Sequence, residues 1–144
     1  METILVSACL TGASCRYDGR SRPDKKLLES LRGRRWILVC PEQLAGQPTP
    51  REKTCLTGGD GRAVIAGQAT VKSESGRDLT EALLLAAEVV CELASRCGAA
   101  RAYLKENSPS CGVARVEVDG EKVRGMGVTA AALKARGIEV IGVD

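Results

Sequence analysis

An α/β domain is expected from three features of the 144-residue chain: three layers, Rossmann-like, with helices on both faces of a mostly parallel sheet. First, two β-branched apolar runs, 3–8 and 35–39, enclose an amphipathic segment at 23–33, and strand–helix–strand order marks a crossover between parallel strands. Second, a long amphipathic stretch at 78–98 feeds directly into another apolar run at 100–105. Third, a helical pattern at 128–137 feeds into a last run at 138–143. The length suits one domain spanning 1–144.

Each element has a local reason. "TILVSA" (3–8) is short and β-branched, as a fully buried strand is. The helix over 23–33 has Pro23 near its start and Leu27, Leu28 and Leu31 on one face. "RWILV" (35–39) reads as a second buried strand. Residues 40–77 are rich in Gly, Pro and Thr and predict long loops, within which "RAVIAGQATVKS" (62–73) reads as a hairpin. The helix over 78–98 buries Leu79, Leu83, Ala86, Ala87, Val90 and Ala94, and Gly98 stops it. After the strand at 100–105 comes "ENSPSCG" (106–112), where Pro109 enforces a turn. "VARVEVDGEKVRG" (113–125) predicts a β-hairpin around Asp119-Gly120. The glycines of "GMG" (125–127), Gly125 and Gly127, stand at the start of the last helix, where a backbone stripped of Cβ atoms could admit a ligand; both are candidate substrate-binding positions.

Composition narrows the chemistry. No apolar run reaches the ~20 residues of a membrane span, and "METILVSACL" lacks a basic leader, so a cytoplasmic protein away from membranes is expected. The net charge is only +3, and the aromatics are limited to Tyr17, Trp36 and Tyr103, too few to stack along a nucleic-acid strand. The basic run "RGRRW" (32–36) therefore reads as a solvated helix end, and no nucleic-acid polymer is expected as partner. The absence of histidine removes Ser-His-Asp and Cys-His pairs and every mixed Cys/His zinc site. Seven cysteines, an odd number without secretory features, point to metal binding or thiol chemistry and not to a disulfide framework.

Three cysteines share a topological position. Cys9 follows the first strand, Cys40 the second, and Cys111 lies in the turn beyond the third. Open α/β sheets bind ligands in the crevice at the carboxyl ends of their strands, so these thiols are expected to converge there. Cys15, beside Arg16, is a candidate fourth ligand or reactive thiol. Cys91 and Cys97 read as packing residues of the long helix, and Cys55 has no evident partner. Without histidine, structural zinc would require Cys15 as well; an iron–sulfur cluster would accept three thiolates and leave one iron open. Composition alone leaves both possible.

"VSACLTGASCRYDG", "CPEQLAGQPTPR", "GDG" and "LKENSPSCGV", followed by "GMGVTAAALKARGIEVI", together resemble the thiouracil desulfurase family over nearly the whole chain. The resemblance implies a [4Fe-4S] cluster held by Cys9, Cys40 and Cys111, whose open iron binds the sulfur of a thiolated pyrimidine. The implied reaction is non-redox: 2-thiouracil becomes uracil and hydrogen sulfide leaves. Glu42, two residues after Cys40, is then the candidate acid/base, and Ser108 or Ser110 the candidate for orienting substrate or relaying a proton. Lys105 and Glu106 read as the charged end of a strand, Arg16 and Asp18 as braces of the Cys9–Cys15 loop, and Asp60 as a turn residue. The departures from the family pattern, at Leu10-Thr11-Gly12, Gln43, Ala45 and "REKTC", leave every implied ligand in place. They fall on loops that select the substrate, which extends by the same resemblance to thiolated nucleosides and nucleotides. Two other classes compete: a non-catalytic module holding metal through Cys9, Cys15, Cys40 and Cys111, and a thiol-based sulfur carrier or redox sensor centred on Cys15 and Cys9.

Overall fold

A computed structural model describes residues 2–144. In chain order the first half comprises β1 (Thr3–Ser7), a 3-10 turn (Ala8–Thr11), α1 (Lys25–Ser30), β2 (Arg35–Val39), α2 (Pro41–Leu44), β3 (Thr54–Thr57) and α3 (Gly61–Ile65). The second half comprises β4 (Thr70–Ser73), α4 (Thr80–Cys97), β5 (Ala99–Lys105), β6 (Arg115–Val118), β7 (Glu121–Arg124), α5 (Val128–Ala135) and β8 (Glu139–Val143). Among the described residues no helix is long and apolar enough to cross a membrane.

The main sheet has the order β2-β1-β5-β8 and is parallel throughout. Helices cover both of its faces, as expected. On one face Leu5, Ala102 and Leu104 pack with Val90, Cys91 and Ala94 of α4 and Ala130 and Leu133 of α5. On the other, Ile4 and Val6 pack with Leu10, Leu27 and Leu31. Strand β1 is buried along its whole length, since it has neighbours on both edges and both faces. Strand β2, expected to be buried, is instead the sheet edge, with Leu38 51% exposed. Helix α1 is shorter than the 23–33 segment: Asp24, whose carboxylate accepts the Leu27 N–H at 2.9 Å, caps it and leaves Pro23 outside.

A second, mixed sheet of order β4-β3-β6-β7 lies beyond the first. The expected hairpin at 62–73 does not form. Its first part is α3, because the Asp60 carboxylate caps the Arg62 and Ala63 N–H groups. Its second part is β4, which pairs antiparallel with β3 through Leu56 opposite Val71. The hairpin at 113–125 forms as β6 and β7, with Asp119 and Gly120 both at positive φ, 51° and 83°. Helix α4 joins the two sheets: Leu79, Leu83 and Ala87 pack on the second sheet's core, while Val90, Cys91 and Ala94 pack on the first. Gly98 ends it in the left-handed conformation, as expected.

Candidate active site

Because β1, β2 and β5 run parallel, their carboxyl ends share one edge, and that edge carries the thiols. Cys9 lies in the 3-10 turn directly after β1, Cys40 is the N-cap of α2 directly after β2, and Cys111 sits in the turn after β5. All three line one cavity of about 300 Å³ together with Cys15, Glu42 and Ser108. Cys55, Cys91 and Cys97 are not among its lining residues. Cys91 packs in the main core.

The donor set is electrostatically unequal. Burial pushes the Cys111 thiol up to about 12. The hydrogen bond with Cys15, followed by burial, pushes Cys40 up as well. Cys9 is pulled down, because a hydrogen bond from Cys15 outweighs its burial. One buried and one half-buried thiol thus resist ionisation, and a cation between them would reverse that preference. Among the described residues no three Cys, Asp or Glu side chains converge closely enough to hold a single ion. The cavity's thiols, in a chain without histidine, are donors that an iron–sulfur cluster accepts.

Beside the thiols lies a half-buried carboxylate with a fixed orientation. Glu42 Oε1 accepts from Thr54 Oγ1 at 2.9 Å and from Arg51 Nε at 3.3 Å, whereas Oε2 takes no hydrogen bond among the described residues. The Arg51 side chain is only 4% exposed. Its guanidinium also donates to the carbonyls of Cys15, at 2.9 Å, and Pro48, at 3.2 Å, and to Thr49 Oγ1 at 3.0 Å. One arginine therefore fixes both the carboxylate and the Cys15 loop. Sequence reasoning missed it, because an arginine followed directly by Glu52 and Lys53 reads as an ordinary loop charge.

The serine turn separates the two candidates. Ser108 lines the cavity, and its Oγ accepts the N–H groups of Ser110, at 3.2 Å, and Cys111, at 3.1 Å. Ser110 is fully buried, is absent from the cavity lining, and its hydroxyl has no hydrogen-bond partner. Glu106 is not the exposed charge that its strand-end position suggests. It is 6% exposed, and its Oε1 accepts the N–H groups of Val113, Ala114 and Arg115 at 2.8, 3.1 and 3.3 Å. It thereby closes the loop that carries Ser108 and Cys111. Asp18 braces its own loop through the Arg20 N–H at 3.0 Å, as expected. Arg16 lines the cavity, near Arg22 and the half-buried Lys105, whose ammonium burial pushes down in pKa.

Gly125 and Gly127 are not brought to this cavity. Their lack of a side chain has a packing cause: a Cβ on Gly125 would lie 2.8 Å from Asp60 Oδ2, and one on Gly127 would collide with the Ser110 backbone. Asp60 is more than a turn residue, since its Oδ2 accepts the Met126 N–H at 3.0 Å and ties α3 to this glycine segment. Gly127→Ala is expected to destabilise the protein by about 1–3 kcal/mol, as overpacking does. Chemical denaturation of the metal-free protein measures this, and an unchanged midpoint would contradict the packing role.

A parallel α/β sheet here presents three thiols, a carboxylate and a serine to one cleft at its carboxyl edge, the place where open-sheet α/β proteins bind their ligands. Comparison with known proteins gives the class. The family model described as 2-thiouracil desulfurase matches residues 4–144, and the chain belongs to this family. It is 40% identical over 141 residues to the "Uncharacterized protein YbbK" of Bacillus subtilis (strain 168), covering 96% of this chain and 93% of that one. Among solved structures it is similar to the [4Fe-4S]-dependent thiouracil desulfidase TudS, with a TM-score of 0.83 and 37% identity over 99% of this chain and 91% of that one.

Proposed function

We propose that the protein removes sulfur from a thiolated pyrimidine, converting 2-thiouracil and water to uracil and hydrogen sulfide with no change of oxidation state. The observation that carries this reading is the convergence of Cys9, Cys40 and Cys111 with Glu42 and Ser108 on one cavity. On this reading those cysteines hold a [4Fe-4S] cluster. When bound, the cluster supplies an open iron, a Lewis acid with affinity for the substrate's sulfur. The alternative of a closed four-cysteine metal module is not favoured.

Glu42 acts as the acid/base through Oε2, the oxygen that Arg51 and Thr54 leave free. It takes a proton from the water that adds to the thiocarbonyl carbon and returns one to the departing sulfur. Ser108 acts as a donor toward the substrate. Two backbone N–H groups already occupy its oxygen's acceptor sites, so its O–H is the remaining hydrogen-bonding capacity. Ser110, enclosed in the turn, has no direct role on this reading.

Arg16, Arg22 and Lys105 line the same cavity, and such a rim favours an anionic substituent on the pyrimidine, as in a thiolated nucleotide. The reading also places the protein in the cytoplasm, where cysteines and an oxygen-sensitive cluster remain reduced. The test is anaerobic loading with iron and sulfide, followed by measurement of sulfide release from 2-thiouracil, a thiolated uridine and its monophosphate. The expected product is a brown protein releasing one sulfide per pyrimidine formed. A protein that stays colourless and iron-free after loading rules the reading out.

A further inference from the structure

Among the described residues the cavity has one aromatic ring in its lining. Tyr17 lines it and is 37% exposed, whereas Trp36 and Tyr103 pack against the core on one face of the main sheet. The loop that carries the ring is closed on itself. The Arg16 N–H donates to the Arg20 carbonyl at 3.1 Å, and the Gly19 N–H donates to the Arg16 carbonyl at 2.8 Å. The Asp18 carboxylate accepts the Arg20 N–H within the same turn. The Tyr17 carbonyl accepts the Arg51 N–H at 2.7 Å. Arg51 therefore holds the tyrosine through its backbone and the Glu42 carboxylate through its guanidinium. One residue fixes an exposed aromatic side chain and the proposed acid/base relative to each other.

A thiolated pyrimidine has two kinds of surface. Its edge carries N–H, carbonyl and thiocarbonyl groups, which polar lining residues such as Glu42 and Ser108 can meet. Its two faces are flat π surfaces, for which an aromatic ring is the matching partner. We propose that Tyr17 stacks on the pyrimidine ring and selects aromatic thiolated bases over saturated or acyclic thiocarbonyl compounds. This inference rests on the desulfurase reading. The rest of the ring stays flat while one carbon reacts, so the stack is nearly the same in the bound substrate and during the reaction. It therefore contributes to binding and not to the chemical step. A merely structural tyrosine would act instead on fold stability and iron loading, with no distinction between ligands.

The test uses wild type, Tyr17→Ala and Tyr17→Phe, loaded anaerobically with iron and sulfide, and reads binding as well as turnover. Equilibrium dialysis compares uracil with 5,6-dihydrouracil, which has the same carbonyl and N–H groups but lacks the conjugated ring. Wild type should bind uracil more tightly by about 5–150-fold, the range that stacking of one base supplies. Tyr17→Ala should lose that preference, and Tyr17→Phe should keep it. For 2-thiouracil, Tyr17→Ala should raise KM by a comparable factor at wild-type iron content, with kcat changed by less than about twofold. Equal affinity of wild type for uracil and its dihydro form overturns the inference, as does a Tyr17→Ala variant that keeps the preference. A Tyr17→Phe variant that behaves like Tyr17→Ala also overturns it, because the hydroxyl and not the ring would then matter. Wild type that binds uracil selectively through Tyr17 but releases no sulfide from 2-thiouracil overturns the desulfurase reading alone.

Discussion

Glu42→Gln should load its cluster normally and lose turnover by about 10²–10⁴-fold, the range ascribed to a positioned acid/base. Glutamine preserves the shape of the side chain. Its amide oxygen can replace Oε1 as acceptor for Thr54 and Arg51, so the surrounding hydrogen bonds survive. What disappears is the group able to take up and return a proton. Removing one partner of a buried ion pair commonly costs about 3–5 kcal/mol, yet Arg51 retains three other acceptors, the carbonyls of Cys15 and Pro48 and Thr49 Oγ1. The stability loss should therefore be smaller than that range. Single-turnover and steady-state sulfide release, normalised to iron content, measure the effect. Near-normal turnover in the loaded variant would exclude Glu42 from proton transfer.

Elements fixed by local chemistry were legible in the sequence. Helix α4 carries a continuous buried stripe and a glycine stop, and the β6–β7 turn needs two residues at positive φ, which Asp119-Gly120 supply. Elements fixed by long-range pairing were not. An apolar run such as β2 has the same composition at an edge as at the centre of a sheet, so its exposure depends on neighbours that the run does not encode. The second sheet rests on four-residue strands, and β3 meets β6 at Leu56 and Val118, far apart in the chain. Short pairings of that kind leave no periodicity to read.

The site divides in the same way. The meeting of Cys9, Cys40 and Cys111 follows from parallel strands ending at one edge, so strand order alone brought them together. The roles of Arg51 and Glu106 depend on where loops return to, and both looked like ordinary charged residues in sequence. Gly125 and Gly127 had the composition of a ligand-contacting backbone, but their closest neighbours are Asp60 and Ser110 of the protein itself.

Glu106→Leu is expected to destabilise the metal-free protein by about 1–3 kcal/mol and to abolish iron retention. The carboxylate is buried and accepts three consecutive backbone N–H groups, and a leucine would remove the acceptor from all three in a part-buried turn. Each unpaired buried donor costs about 1–3 kcal/mol. A Cβ at Gly142 would collide with the same carboxylate, so the strand beside it is fitted to this side chain. The loop from 106 to 115 holds Ser108 Oγ against the Cys111 N–H, and freeing it would leave one of the three expected iron ligands unfixed. Glu106→Gln should fall between the two, since its amide oxygen still accepts while its amide nitrogen faces backbone donors. Chemical denaturation of the metal-free proteins and iron analysis after anaerobic loading separate stability from ligand placement. If Glu106→Leu unfolds at the wild-type midpoint and retains full iron, the carboxylate does not secure the turn.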